Sequence, residues 1–330
     1  MPKGFVFGKF LPFHKGHEGM IRFALQHCDA LTVLVCASDR ENIPAEKRVA
    51  WITETFQGQA GLAIRAFNYK EDELPNSSES SRDISRVWAN AFKKLLPDQD
   101  LLITSEPYGD YVADYMGIQH IPYDIPRTQF PVSATVVRKK LLSLWRFLPD
   151  SVKPDFAIKV VILGTESTGK SVLTEKLAAH FNASIVMEAG RDLIPHSNHF
   201  ELADLYRVAE EHARRIDLAV RGDHPLVIID TDIHTTMSYA RFFLGETLSI
   251  PPNIQQSNAA DLYLYLNNDV DFMQDGSRLT EPLRNQLDLS HRAILSESNI
   301  SYVEIYGDWV RREKMAIAGI NALLAARQQT

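Results

Sequence analysis

The sequence predicts an α/β protein of two doubly wound parallel-sheet domains in tandem. Three observations carry this expectation. Strand-like and helix-like patterns alternate through most of the chain, a glycine-bearing loop follows the first strand of each half, and 330 residues exceed what one core usually holds. Phe5-Val6-Phe7 is the first strand, and Met20, Ile21, Ala24, Leu25 and Cys28 share one side of the helix after it. Leu31 to Ala37 is a continuous apolar run, as a parallel strand covered on both faces requires. Further strands are expected at Leu62 to Phe67, Leu101 to Thr104 and His120 to Tyr123. Helices separate them at Ala45 to Phe56, Arg82 to Leu96 and Thr135 to Phe147, and the polar stretch Asn76 to Ser81 reads as a surface loop.

Leu148 to Asp155 carries two prolines and no periodicity, which marks a linker and puts the domains at 1–150 and 151–330. The second domain opens on the strand Ala157 to Leu163. Its later strands are Ser184 to Met187, Leu226 to Ile229, Leu262 to Leu266 and Tyr302 to Ile305, with long helices over Phe200 to Val220 and Trp309 to Ala326.

A hydrophobic fraction of 45% and a charged fraction of 23% are ordinary for a globular chain and exclude a disordered one. The net charge of −7 argues against a general nucleic-acid binder but not against small anionic ligands, which a few cations and oriented amides can hold. Cys28 and Cys36 are too few for a disulfide framework and read as buried thiols in a reducing compartment. The first residues run straight into a strand with no secretory pattern, and no apolar run reaches the ~20 residues that span a bilayer. A cytoplasmic protein without membrane association is expected.

The most specific motif is Gly164-Thr165-Glu166-Ser167-Thr168-Gly169-Lys170-Ser171, a full P-loop between a β-branched strand and a helix. Its glycines let backbone N–H groups converge on phosphate oxygens, Lys170 adds a positive charge, and the Ser171 hydroxyl can ligate Mg²⁺. Asp230 and Asp232 end an apolar strand, where a P-loop fold places Mg²⁺ or substrate ligands; helix capping is the plainer alternative. Glu188 ends another strand and can accept a substrate hydroxyl proton, or simply pair with Arg191. Asp275-Gly276-Ser277-Arg278 and Arg284 suggest a lid that brings arginines over the phosphates.

In the first half, Gly8-Lys9-Phe10 leads into His14-Lys15-Gly16-His17 at a helix start. Two imidazoles three apart there face the same anion site as the free backbone N–H groups. A zinc pair would need further ligands, and none lies at a sensible spacing. Ser133, Thr135 and Arg138 open another helix and supply hydroxyls and a guanidinium to a second phosphate clamp. With Lys9, His14 and His17, this looks like the ATP site of the nucleotidyltransferase superfamily, working by alignment and charge neutralisation.

Along nearly its whole length the chain resembles the NadR family of bifunctional nicotinamide-nucleotide adenylyltransferase/ribosylnicotinamide kinases. The carrying residues are the Gly8–His17 loop, Thr104 to Asp110, Arg127 with Ser133 to Arg138, the P-loop, Asp230-Thr231-Asp232 and Asp275 to Arg278. The resemblance implies a Rossmann-like nucleotidyltransferase followed by a P-loop kinase. It implies ATP with Mg²⁺, ribosylnicotinamide, nicotinamide mononucleotide and NAD as ligands, and leaves room for a homo-oligomer. Trp88 and Tyr108 are candidates to face the pyridine ring in the first domain, with core packing as their alternative. In the second, the family's tryptophan before Asp-Gly-x-Arg is here Phe272. The chain begins directly at the first strand, so no DNA-reading module and no repressor role are expected. A phosphopantetheine adenylyltransferase/dephospho-coenzyme A kinase fusion and a non-catalytic ligand sensor are the competing readings.

Overall fold

The computed structural model describes residues 2–75, 81–194, 200–270 and 279–329. Its contacts divide the chain into two compact units, Met1–Val152 and Lys153–Thr330.

Unit 1 runs β1 (Lys3–Gly8), α1 (Lys15–Ala24), β2 (Ala30–Ser38), α2 (Ala45–Thr55), β3 (Leu62–Tyr69), α3 (Arg82–Leu95), β4 (Leu101–Thr104), α4 (Gly109–Met116), β5 (Gln119–Pro122) and α5 (Ala134–Lys139). All its strand pairs are parallel, in the order β3-β2-β1-β4-β5. The chain reverses direction across the sheet between β1 and β4, so the loops leaving those strands splay apart and open a crevice at their carboxyl ends. The core beneath is built from Phe5, Leu34, Ala89, Phe92, Leu102 and Val112. Phe5 and Phe92 meet edge to face at 5.6 Å.

Unit 2 runs β6 (Ile158–Leu163), α6 (Lys170–Phe181), β7 (Ser184–Val186), α7 (Gly190–Leu193), α8 (Leu202–Val220), β8 (Leu226–Asp230), α9 (Ile233–Tyr239), α10 (Pro252–Asn258), β9 (Leu262–Leu266), α11 (Glu281–Glu297), β10 (Val303–Ile305) and α12 (Trp309–Gln329). The sheet is again wholly parallel, in the order β10-β9-β6-β8-β7. Val160, Val161 and Ile162 of the central strand β6 are completely buried, which accounts for the unbroken apolar run in the sequence. The two doubly wound sheets agree with the fold class expected from the alternating pattern.

One expectation fails and another holds only in part. The helix expected over Thr135 to Phe147 ends at Lys139, and a separate 3₁₀ turn forms at Trp145–Phe147. Breaking the run lets both Trp145 and Leu148 be buried, which outweighs continued helix. The expected linker holds the division between the units, at Val152/Lys153, but it is packed chain: Leu148 and Val152 are fully buried, and Ser151 Oγ lies 2.7 Å from Thr55 Oγ1. Its prolines shape turns, since Val152 N–H donates to the Pro149 carbonyl at 3.0 Å. Of the polar stretch Asn76 to Ser81, residues 76–80 lie outside the described residues; Ser81 caps α3 by accepting from Ile84 N–H at 3.5 Å.

One buried cation organises the approach to the unit 1 crevice. Arg48 on α2 has no exposed side-chain surface and pairs with Glu41 at 2.7 Å. It also donates to the carbonyls of Lys9 at 3.0 Å and of Ile43 at 3.0 Å. Arg48→Ala would leave the buried Glu41 carboxylate with Lys9 as its remaining cation and strip the Lys9 and Ile43 carbonyls of their donor, at a cost of about 2–4 kcal/mol. Denaturant unfolding of the variant is expected to show a loss of that size; a loss below about 1 kcal/mol would mean that the network is incidental.

Candidate functional site

The loop from Gly8 to His17 leaves the carboxyl end of β1, and His14 is the N-cap of α1, its Nδ1 accepting from Gly16 N–H at 3.2 Å. A Cβ at Gly16 would stand 3.0 Å from the His14 ring, so glycine there lets the imidazole fold over the helix start. The His14 and His17 rings stack with centroids 3.7 Å apart. Burial, with the positive Arg127 nearby, holds His14 down to about 4, and burial with His14 and Arg127 holds His17 well below the ordinary imidazole value. Both rings are therefore neutral at pH 7. His14 Nε2 and His17 Nδ1 are enclosed and have no hydrogen-bond partner among the described residues. Two enclosed polar atoms left open at a helix N-terminus describe a place prepared for hydrogen-bonding oxygens.

The second cluster in unit 1 comes from far along the chain. Ser133 caps α5 by accepting from Val136 N–H at 3.3 Å. Arg138 receives no such cap; its Nη2 donates to Thr135 Oγ1 at 3.2 Å and its Nη1 donates to the Leu11 carbonyl. This last bond ties α5 to the histidine loop across 127 residues of sequence. Arg127, in a left-handed conformation, pairs with Glu106 at 2.6 Å. Lys9 pairs with Glu41 at 2.8 Å. Phe10 is buried, with its ring 5.0 Å from His17, so it backs the imidazole and cannot itself face a ligand by its side chain.

Beside Gly8 and Lys9 lies a cavity of about 220 Å³, lined by Phe7, Cys36, Tyr69, Ile84, Ser85, Trp88, Tyr108 and Val112. Four of these are aromatic. Trp88 is held by its indole N–H donating to the Pro75 carbonyl at 3.1 Å, and its ring stacks near Phe7 at 6.5 Å and meets Tyr69 edge-on at 5.0 Å. Trp88 and Tyr108 thus serve as core and as cavity wall together. Burial raises the Tyr108 phenol and takes the Cys36 thiol up to about 12, so neither adds charge to a mostly apolar lining that Lys9 shares.

In unit 2 the P-loop joins β6 to α6. Gly164 and Gly169 have φ of 139° and 85°, and their absent side chains would meet the Leu266 carbonyl at 2.7 Å and the Trp309 ring at 2.2 Å. Ser167 also adopts a left-handed turn. Thr165 O accepts from Thr168 Oγ1 at 2.8 Å and from Lys170 Nζ at 3.1 Å. Ser171 Oγ donates to Asp230 Oδ2 at 2.5 Å, so a hydroxyl and a buried carboxylate lie side by side at the mouth of the loop. Asp232 caps α9: it accepts from His234 N–H at 3.0 Å and pairs with His234 Nδ1 at 2.5 Å. Burial opposes protonation of His234, but the Asp232 carboxylate outweighs it and raises the imidazole above its ordinary value.

A cleft of about 540 Å³ opens from this loop, lined by Glu166, Lys170, Ser171, Glu188, Arg191, Phe200, His212, Asp232, Tyr239 and His291 among others. Glu188 and Arg191 pair at 3.1 Å on its wall, and Arg191 Nη2 stands 3.9 Å from Asp230. Glu166 is turned into the protein, accepting from Tyr239 Oη at 3.0 Å and from Leu279 N–H at 3.2 Å.

Lys170, Ser171, Glu188, Arg191 and Asp232 are therefore gathered on one cleft, with Asp230 touching Ser171 behind it. Arg284 is not among them. It sits on α11, 2% exposed, its Nη2 3.7 Å from Glu281 and its carbonyl accepting from Thr165 Oγ1 at 3.5 Å, so it supports the loop from behind instead of closing over it. Phe272, Asp275 and Arg278 lie outside the described residues. Sequence reasoning missed Tyr69, Arg48, His212, Tyr239 and His291. His291 is buried, with Nδ1 lacking a hydrogen-bond partner among the described residues, and burial beside Lys170 takes it down to about 3. Nothing local marks any of these five; each is recruited by packing from an ordinary amphipathic segment.

Residues 159–312 match the family model described as AAA domain. The chain is 30% identical over 329 residues to the trifunctional NAD biosynthesis/regulator protein NadR of Escherichia coli (strain K12), covering 92% of this chain and 78% of that one. It is 25% identical over 146 residues to the nicotinamide-nucleotide adenylyltransferase of Methanocorpusculum labreanum, covering 43% of this chain and 80% of the relative. A crystal structure of NadR protein in complex with NR superposes with a TM-score of 0.72 at 20% identity, covering 98% of this chain and 96% of that one, a likeness of fold. No helix among the described residues is long and apolar enough to cross a membrane.

The neutral His14 makes stability depend on pH. Its folded value of about 4 lies below the ordinary 6.5, so between the two the unfolded chain binds more protons. Stability contributed by the neutral ring is complete above 6.5 and falls as pH drops through that window. In His14→Asn, denaturant unfolding of unit 1 should lose less stability between pH 7 and about 5 than in the parent. Equal slopes in the two proteins would show that His14 is not held neutral.

Proposed function

The chain belongs to the NadR family, and on that premise we propose that it is a bifunctional enzyme of NAD salvage with one chemistry in each unit. Unit 2 transfers the γ-phosphoryl group of ATP to ribosylnicotinamide and gives nicotinamide mononucleotide. Unit 1 transfers the adenylyl group of a second ATP to that mononucleotide and gives NAD and pyrophosphate. The observation that carries the reading is the clasp of Arg138 on the Leu11 carbonyl, which sets a second basic helix start against two open-valent imidazoles, next to an aromatic cavity.

In unit 1 the mononucleotide phosphate attacks the α-phosphorus of ATP, the bond to the bridging oxygen breaks, and pyrophosphate leaves. Neutral His14 and His17 can direct an N–H at phosphate oxygens without moving a proton, and Arg127 and Arg138 supply the positive charge. The pyridinium ring of the acceptor suits the cavity walled by Phe7, Tyr69, Trp88 and Tyr108, because a cation is attracted to aromatic faces in a dry lining.

In unit 2 Lys170 exchanges its bond to the Thr165 carbonyl for the donor phosphates. Glu188 on the cleft wall accepts the proton of the riboside hydroxyl, and Arg191 orients it. Asp232 is committed to His234 and the start of α9, so we assign it to building the cleft and leave the base role to Glu188. The Ser171 hydroxyl and the Asp230 carboxylate are the donors that would hold Mg²⁺ arriving with ATP, two protein ligands suiting an ion that keeps its phosphate and water ligands. Bound there, the ion would screen the phosphate charges.

Lys170→Ala separates the two chemistries. It should lower ADP release from ribosylnicotinamide about 100-fold or more. NAD formation from nicotinamide mononucleotide should stay within about twofold, since Lys170 belongs to the other unit's machinery. Coupled assays of ADP and of pyrophosphate on the same folded sample read both. Loss of both activities together would refute the two-site reading, and titration calorimetry preferring phosphopantetheine over the mononucleotide would redirect it to coenzyme A chemistry.

A further inference from the structure

The phosphate loop divides the unit 2 sheet into two sides. Toward β8 and β7 lies the cleft with Glu188, Arg191 and Tyr239. Toward β9 and β10 stands Trp309, the first residue of α12, which is 49% exposed and does not line that cleft. Its ring is so close to Gly169 that a Cβ there would be 2.2 Å away. One turn along, the fully buried Arg312 approaches the same ring at 5.6 Å and donates to the Thr168 carbonyl at 3.0 Å. The indole is therefore fastened to the phosphate loop itself, with half of its surface open.

In-line phosphoryl transfer sets the attacking and leaving oxygens on opposite sides of the phosphorus. With the acceptor in the β7–β8 cleft, the remainder of the donor must extend toward β9 and β10. We propose that Trp309 is the platform on which the base of the donor nucleoside triphosphate stacks. A base has an aromatic face to offer, and stacking on tryptophan tolerates any of them, so the platform supplies affinity more than choice of base. Among the described residues the other exposed aromatic on this side is Tyr306, on whose ring Arg311 packs at 4.3 Å, closer than Arg312 approaches Trp309. A ring present only to shield Gly169 would have no use for its open half.

The inference rests on the kinase reading of unit 2, and its test separates the two. Trp309→Ala in the full chain should raise KM for ATP in the ADP-release assay on the order of tenfold, with a smaller change in kcat. Trp309→Phe should recover most of the loss and Trp309→Leu should not. ADP should quench a fluorescence component that is missing in Trp309→Phe, whereas inorganic tripolyphosphate, which fills the cradle without a base, should not quench it. NAD formation and thermal unfolding report whether each variant is folded. An unchanged KM for ATP in Trp309→Ala, equal KM in the Phe and Leu variants, or equal quenching by tripolyphosphate and ADP would overturn the platform. A parent protein that releases no ADP with riboside would instead overturn the kinase reading, and the fluorescence comparison would still decide the stacking.

Discussion

The structure depends on where the carbonyls of its two phosphate loops point. A peptide plane sets the C=O of one residue opposite the N–H of the next, so fixing a carbonyl toward the protein turns an amide toward the ligand. In unit 1 the Lys9 carbonyl is taken by Arg48 at 3.0 Å, and in unit 2 the Thr168 carbonyl is taken by Arg312 at 3.0 Å. Both arginines are completely buried and each is neutralised by an acid, Glu41 or Asp269. Burying a guanidinium is costly unless its donors are paired, and these two pair theirs with an acid and with backbone carbonyls, loop carbonyls among them. The amides of Phe10 and Gly169 are left facing the other way, which is the direction an anion needs.

The same device supports two different electrostatic designs. Unit 1 keeps its imidazoles neutral, stacked and enclosed, and leaves positive charge to Arg127 and Arg138 at the rim. Unit 2 instead buries Lys170 against the loop and sets Asp230 and Glu188 nearby. The difference follows from the acceptors proposed for each. A phosphate nucleophile is already charged and requires no base, only donors that do not repel its partner. A neutral hydroxyl needs a carboxylate to receive its proton, and that carboxylate must be kept from the incoming triphosphate, which the Arg191 pairing at 3.1 Å accomplishes.

What was legible in the sequence is what is local. The P-loop and the helix starts at His14 and Ser133 are each written in a few consecutive residues, and the structure forms them where expected. Both sheets followed from period and apolar runs. The misreadings concern packing over distance. Prolines at 149 and 154 suggested a linker, yet Ser151, Val152 and Lys153 between them are buried, because a turn-forming residue says nothing about what covers the turn. Arg284 looked like a mobile cation, since a charged residue near a glycine-rich string gives no sign that a helix will bury it. His291, Tyr69 and Arg312 carry no motif at all; only the sheet order brings them to the crevices.

Sheet order also explains how an acidic chain can handle polyanions. With a net charge of −7, long-range attraction cannot gather nucleotides. Binding must come from groups within a few ångströms, and these are amides at helix starts, two imidazoles and a few cations, each within reach of the carboxyl end of a central strand. Such short-range contacts lie inside one Debye length, so salt weakens them far less than it weakens steering by net charge. Three acidic residues set against the loops, Glu41, Asp230 and Asp269, do not oppose this arrangement. Each is bound to a cation or hydroxyl that holds a loop in shape. In this fold the negative charges build the cradles and the backbone dipoles do the attracting.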